Sequence, residues 1–185
     1  ERDQVLIQFA NRSCSVLVAT DVAARGLDID QLEAVINVDV TPDTEIHVHR
    51  IGRTGRVDQE GWAFSLVSGN QMARVRNIVT TLGQEVEWHA MSELQEASNA
   101  RLLPPMVTLL ILGGRKEKLR PGDVLGALTG EAGFAKEQIG KIKVTDTATY
   151  VAVARNIGQD ALRKLSAGTV KGKKVKVHLL SDRGG

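Results

Sequence analysis

A single cysteine, Cys14, rules out an internal disulfide and any cysteine-rich metal cage, and with them the disulfide-stapled secreted modules. A buried thiol is its expected state. No apolar run approaches the roughly 18 to 20 residues that a membrane span needs, and no charged-then-apolar signal segment opens the chain, so a soluble, cytoplasmic protein is expected. Aromatic residues make up only 3%, which leaves little material for stacking platforms. The first residue is Glu1 rather than methionine, and a piece of something longer is expected on that ground. What is present, 42% apolar and 25% charged residues, is the composition of ordinary folded protein.

Lysine is missing from the whole of residues 1–100, which hold eight arginines against fifteen acids, a balance of −7. Residues 101–185 hold sixteen basic residues against seven acids, a balance of +9, so the overall charge of +2 conceals two unlike halves. The asymmetry points to two domains with different tasks, the second facing a polyanion. Composition changes at 98–105, where Pro104 and Pro105 lack amide donors and disfavour helix before them. Domains over 1–100 and 101–185 are expected.

In the first domain, Val- and Ile-rich runs alternate with helical patterns, the rhythm of βα units around a buried parallel sheet. Helices are predicted over 3–12, with Val5, Leu6 and Phe9 on one face, and over 71–82, ended by Gly83. Strands are predicted over 15–20, 34–40 and 62–67. A further helix is expected to start at Thr41, the hydroxyl at the cap and Pro42 in the first turn. The second domain reads strand, helix, strand, strand, helix, strand over 106–112, 121–128, 139–145, 149–154, 159–165 and 173–180, the ferredoxin-like βαββαβ order. In its last strand Val175, Val177 and Leu179 oppose Lys174, Lys176 and His178, and earlier Ile142 and Val144 oppose Lys141 and Lys143. Helices on the apolar face would leave a basic sheet surface open. The expected class is therefore α/β, a parallel sheet followed by a ferredoxin-like domain.

Two segments carry chemistry. The first leaves a predicted strand at Thr20, the place where ligands gather in parallel α/β sheets. Thr20 offers a hydroxyl and an amide to a phosphate, Gly26 admits a close backbone approach, and Asp28 can accept from ribose hydroxyls; a simple helix cap at Thr20-Asp21 is the alternative. The second, His49-Arg50-Ile51-Gly52-Arg53-Thr54-Gly55-Arg56, sets three arginines at spacing three, each a planar fork suited to phosphate oxygens. His47 and His49 form an HxH pair, but no further ligands cluster with them in the sequence, which argues against a metal site.

Residues Ala19-Thr20-Asp21-Val22-Ala23-Ala24-Arg25-Gly26-Leu27-Asp28 and His49 through Arg56 together resemble motifs V and VI of the DEAD-box RNA helicases. The resemblance implies that 1–100 are most of a second RecA-like domain. It implies arginine fingers at Arg53 and Arg56, ATP contacts at Gly26 and Asp28, an RNA phosphate at Thr20, and interdomain coupling by Arg25, His49 and Arg50. Residues 113–130 and 171–177 resemble the carboxyl-terminal RNA-binding domain of the DbpA-type helicases, which implies RNA, in particular large-subunit ribosomal RNA and ribosome assembly intermediates, as partner. The first strand of that domain has no ring and Tyr150 is the only one in the third, so weight falls on Arg115, Lys116, Lys118, Arg120, Lys141, Lys143, Lys173, Lys174 and Lys176. Tyr150 stacks on a base or packs at the core edge; Phe134 is expected in the core.

No GxxxxGK[ST] phosphate loop and no Asp-Glu-Ala-Asp run occurs in the chain. ATP and Mg2+ are thus expected in the parent protein, bound mainly by a domain that these residues do not include, and the chain alone is expected not to hydrolyse ATP. The alternative is a non-enzymatic RNA-binding module or RNA chaperone.

Overall fold

A computed structural model describes residues 2–21, 32–55, 60–83, 85–95 and 102–180. Contacts divide the chain into two units, Ala19–Asn99 in one and Glu1–Val18 with Ala100–Gly185 in the other. Helix α1 (Arg2–Ala10) groups with the second; Gln8 is its buried residue, and Val5, Leu6 and Phe9 are only half-buried.

The unit Ala19–Asn99 runs through β1 (Ala34–Asn37), α2 (Thr44–Ile51), β2 (Trp62–Ser65) and α3 (Met72–Leu82). β1 and β2 pair in parallel, with Ala34 opposite Trp62 and Asn37 opposite Ser65. The expected strand over 15–20 does not form: these residues have no ladder partner among the described residues, and Val16 and Val18 are exposed. A continuous apolar run suits a buried strand, but only a neighbouring strand can take up its amides and carbonyls. The strand expected over 34–40 ends at Asn37, whose side-chain amide donates to Ser65 Oγ at 3.2 Å.

The cap of α2 also differs from expectation. Asp43, not Thr41, is the N-cap, its carboxylate accepting from the amides of Glu45 at 2.9 Å and Ile46 at 3.3 Å. Thr41 Oγ1 accepts instead from the Asp43 amide at 3.2 Å, and Pro42 precedes the helix. A carboxylate placed at the positive end of the helix outcompetes a hydroxyl two residues earlier. α3 buries Val75 and Ile78 against Val40 and ends at Gly83 (φ 61°), where only a residue without Cβ is unstrained.

The second unit continues with β3 (Met106–Ile111), α4 (Pro121–Gly126), a π-type turn over Ala127–Glu131, β4 (Ile139–Val144), β5 (Thr149–Ala154), α5 (Gly158–Ala167) and β6 (Val177–Leu179). The sheet order is β4-β5-β3-β6, all neighbours antiparallel, which is the ferredoxin-like arrangement. Leu109, Ile111, Val151 and Val153 meet Val124, Leu128, Ala161 and Leu165 in one core, and Phe134 lies in it as expected. Each of the Leu, Ile, Val and Phe side chains contributes about 1.5 to 3 kcal/mol by leaving water.

The last strand is shorter than expected, three residues; ahead of it Lys171 and Gly172 (φ 54° and 73°) turn the chain, and Val170 bridges to Lys173. Nor is the outer sheet face fully open. Thr108 and Ala152, which point away from the helices, have no exposed surface, and Thr108 Oγ1 bonds Asn11 Nδ2 at 2.8 Å and Ser13 Oγ at 2.6 Å. Lys141, Lys143, Lys174, Lys176 and His178 remain exposed.

Candidate functional site

Two places gather the residues singled out in the sequence, one in each unit. In the first, α2 brings His49 and Arg50 to its last turn and passes into the turn Gly52–Gly55. Of the three arginines Arg50 and Arg53 are described, and Arg50 does not serve as a free phosphate fork. Arg50 is engaged within the protein: Nε donates to Asp21 Oδ1 at 2.6 Å, Nη2 to Asp21 Oδ2 at 2.7 Å, and Nη1 to the Asp39 carbonyl at 2.8 Å. The carboxylate of Asp21 beside it holds the guanidinium still more firmly protonated than usual.

Arg53 is half-buried, and its backbone is fixed from both sides. Its amide donates to the Arg50 carbonyl at 3.3 Å, and its carbonyl accepts from the Leu32 amide at 2.9 Å. Thr54, almost fully buried, donates from Oγ1 to the Leu32 carbonyl at 2.5 Å, and Leu32 and Thr54 form a parallel bridge. Gly61 closes the turn: a Cβ there would come within 2.9 Å of Gly55 Cα and closer still to the Gly55 amide and Thr54 Oγ1. The fixed backbone orients Arg53, a permanent cation suited to a phosphate.

Thr20 is exposed and adjoins Asp21, so the Asp21–Arg50 pair joins the two sequence segments. His49 is exposed. His47 Nδ1 is buried with no hydrogen-bond partner, and burial, reinforced by the charge of Arg50, lowers its pKa, favouring neutral imidazole. Arg25, Gly26, Asp28 and Arg56 lie outside the described residues. Among the described residues no group of three or more His, Cys, Asp and Glu could hold a metal ion.

In the second unit the basic residues take two positions. The loop after β3 is an ordered edge. The amide of Arg115 donates to the Thr145 carbonyl at 2.8 Å and that of Lys116 to the Asp146 carbonyl at 2.9 Å, while Leu119 is buried as its anchor. Gly114 permits this docking. Lys118 takes φ 59°, and its carbonyl accepts from Lys171 Nζ at 2.8 Å, which fastens the turn of Lys171 and Gly172 to the loop. Lys116, Lys118, Arg120, Lys171, Lys173, Lys174 and Lys176 are exposed around this edge; Lys176 offers its carbonyl to the Leu112 amide at 2.9 Å. Arg115 is paired with Asp146, both mostly exposed, an arrangement worth little and easily exchanged for a phosphate.

The other position is on the sheet. Lys143 faces Tyr150 across β4 and β5, and Tyr150 faces Leu110 across β5 and β3. Tyr150 is half-buried and Lys141 is exposed two residues from Lys143. The sequence reading missed Asp21, Asp39, Leu32, Thr54 and Gly61 in the first unit and Lys171 in the second. Asp21 and Thr54 lay inside the two motif segments without a role of their own, and Lys171 left the signal of a Lys-Gly pair after Val170 that suits a turn with positive φ.

Residues 1–58 match the helicase conserved C-terminal domain, and residues 108–179 match the DbpA RNA-binding domain. The two matches divide between them the motif segments and the basic domain. Over 180 residues, 97% of the chain, it is 47% identical to the ATP-dependent RNA helicase DbpA of Escherichia coli (strain K12). The chain matches the carboxyl-terminal part of the DbpA-type DEAD-box helicases. To the ATP-dependent RNA helicase DbpA of Bacillus subtilis (strain 168) it is 31% identical over 96% of its length. It spans 39% and 41% of the length of these two relatives. A crystal structure of the Escherichia coli DEAD-box protein SrmB bound to regulator of ribonuclease activity A is 32% identical, with a TM-score of 0.47 over 54% of this chain and 59% of that one. For the DbpA-type chain the expected class holds: a RecA-like α/β part with a parallel sheet, followed by a ferredoxin-like part. Among the described residues no helix is long and apolar enough to cross a membrane.

Proposed function

We propose that this chain works within an ATP-dependent RNA helicase, residues 1–100 completing the ATP site and residues 101–185 anchoring RNA. The observation that carries the reading is the turn around Arg53, held by Leu32, Thr54 and the packing of Gly61, which presents a permanent cation on a fixed backbone. Arg53, with Arg56, stabilises the charge that develops as water attacks the terminal phosphate, the role of an arginine finger. Asp28 and Gly26 hold the ribose side of the nucleotide, Thr20 takes an RNA phosphate, and Arg25, His49 and Arg50 couple the two RecA-like domains. ATP and Mg2+ would supply the phosphoryl group and its counter-charge, held mainly by the domain that carries the phosphate loop, a motif these residues lack.

The basic edge supports the RNA half of the reading. Lys116, Lys118, Arg120, Lys171, Lys173, Lys174 and Lys176 surround one fastened pair of loops, with Lys141, Lys143 and Tyr150 on the sheet. We take structured large-subunit ribosomal RNA in assembling ribosomes as the substrate, in the cytoplasm. Arg53→Ala in the complete helicase tests the assignment. An arginine finger is worth about 10³ to 10⁵ in rate, roughly 4 to 7 kcal/mol of barrier. RNA-stimulated ATP turnover should fall by orders of magnitude; turnover near that of the parent would favour the RNA-binding module or chaperone.

A further inference from the structure

The basic edge of the second unit gathers like charges that push one another apart. Lys116, Lys118 and Arg120 are exposed on the loop after β3, and Lys171, Lys173 and Lys174 on the turn before β6. Left to repulsion alone, the two loops would separate and carry their charges with them. One contact opposes this. Lys171 Nζ donates to the Lys118 carbonyl at 2.8 Å and lies 3.6 Å from Asp123 Oδ2, which also accepts from the Arg120 amide at 2.9 Å. One carboxylate oxygen thus meets both loops.

Backbone geometry marks the same place. Lys118 and Lys171 take φ 59° and 54°, the left-handed region that a residue with a Cβ seldom enters. Among the described residues Arg12 is the one other non-glycine that does so. Such conformations persist where their surroundings hold them, and here the two residues are the two ends of one hydrogen bond. The carboxylate is the unexpected partner, because a surface that faces phosphates gains nothing from a negative charge unless that charge holds something in place. With 24% of its side-chain surface exposed against 44% for Lys171, Asp123 sits beneath the lysine rather than beside it in the solvent.

We propose that Asp123 and Lys171 are positioning residues that clamp the two basic loops at one spacing, so that Asp123 strengthens RNA binding although phosphates repel its charge. This rests on the reading above in which the basic edge anchors RNA. The clamp sets Lys173, next to the turn, at a fixed distance from Lys116 and Lys118 across the edge, and the RNA backbone meets one track of cations instead of two mobile loops.

The test is a double-mutant cycle in the full chain with Asp123→Asn, Lys171→Gln and both, titrated with purified large-subunit ribosomal RNA across salt. Asparagine keeps an oxygen for the Arg120 amide, and Lys171→Gln opens the clamp from the side that has no part in the helix start. Asp123→Asn should weaken binding about tenfold and lower the slope of log affinity against log salt by about 1 or more, although it removes a negative charge. Lys171→Gln should then cost little more in the Asp123→Asn background, since the clamp is already open. Binding by Asp123→Asn that is parental or tighter, losses that multiply, or weaker binding at an unchanged salt slope would each overturn the proposal; the last would mean only a loss of folded protein. Lys116→Ala, measured alongside, keeps the two readings apart. Parental affinity and slope in that variant would remove the basic edge as an RNA anchor, whereas a loss there together with parental or tighter binding by Asp123→Asn would remove only the clamp.

Discussion

Gly114→Ala is a one-methyl test of whether the basic edge is a built structure. The new Cβ would lie 2.7 Å from the Asp146 carbonyl carbon and 2.8 Å from the Ala148 amide nitrogen, and closer still to the Thr145 carbonyl oxygen, where ordinary contact begins at 3.4 Å. All three atoms are backbone, so no side chain can swing aside and the loop must lift from the β4–β5 turn. Lifting strains or breaks the Arg115 and Lys116 amide bonds to Thr145 and Asp146 and pulls on the buried Leu119. Two bonds worth about 0.5 to 1.5 kcal/mol each set a loss of about 1 to 3 kcal/mol. Urea unfolding of the whole chain, followed in the transition of the β3–β6 unit, would measure it. RNA affinity should fall too, because Lys116, Lys118 and Arg120 ride on that loop. A variant within about 0.3 kcal/mol of the parent and with unchanged RNA binding would refute the argument, since that lies inside the scatter of ordinary surface changes.

Lys116→Ala should weaken RNA binding by the whole chain and lower the slope of log affinity against log salt by about 1, the signature of one lost phosphate contact; an unchanged slope would take Lys116 out of the interface. His47 titrates below its ordinary value in the folded unit, so between that folded value and about 6.5 the unfolded chain binds a proton that the folded one does not. Stability of the unit carrying α2 is therefore full above about pH 6.5 and declines as the pH falls towards the folded value. Thermal unfolding of the parent and of His47→Gln at pH 7.5 and 5.5 checks this, the variant being expected to lose part of the acid sensitivity.

The ferredoxin-like half was legible because its pattern is self-sufficient. The alternation of Val177 and Leu179 with Lys176 and His178 assigns a face within one strand, and the buried Val177 and exposed lysine keep to it. The stretch over 15–20, a continuous apolar run, formed no strand among the described residues, since such a run assigns no face of its own and the ladder depends on a neighbour. Spacing gave the positions of Arg50 and Arg53 but not their partners. That one meets Asp21, 29 residues away, and the other is braced by Leu32 are facts of tertiary packing. Gly61 shows the same limit, because only the folded backbone reveals what a Cβ would strike.

RNA-stimulated ATP turnover of Arg53→Ala in the complete helicase, with RNA affinity measured on the same preparation, tests the central claim most directly. The account predicts parental RNA affinity with turnover reduced about 10³-fold or more. Parental turnover, or a loss explained entirely by weaker RNA binding, would contradict it.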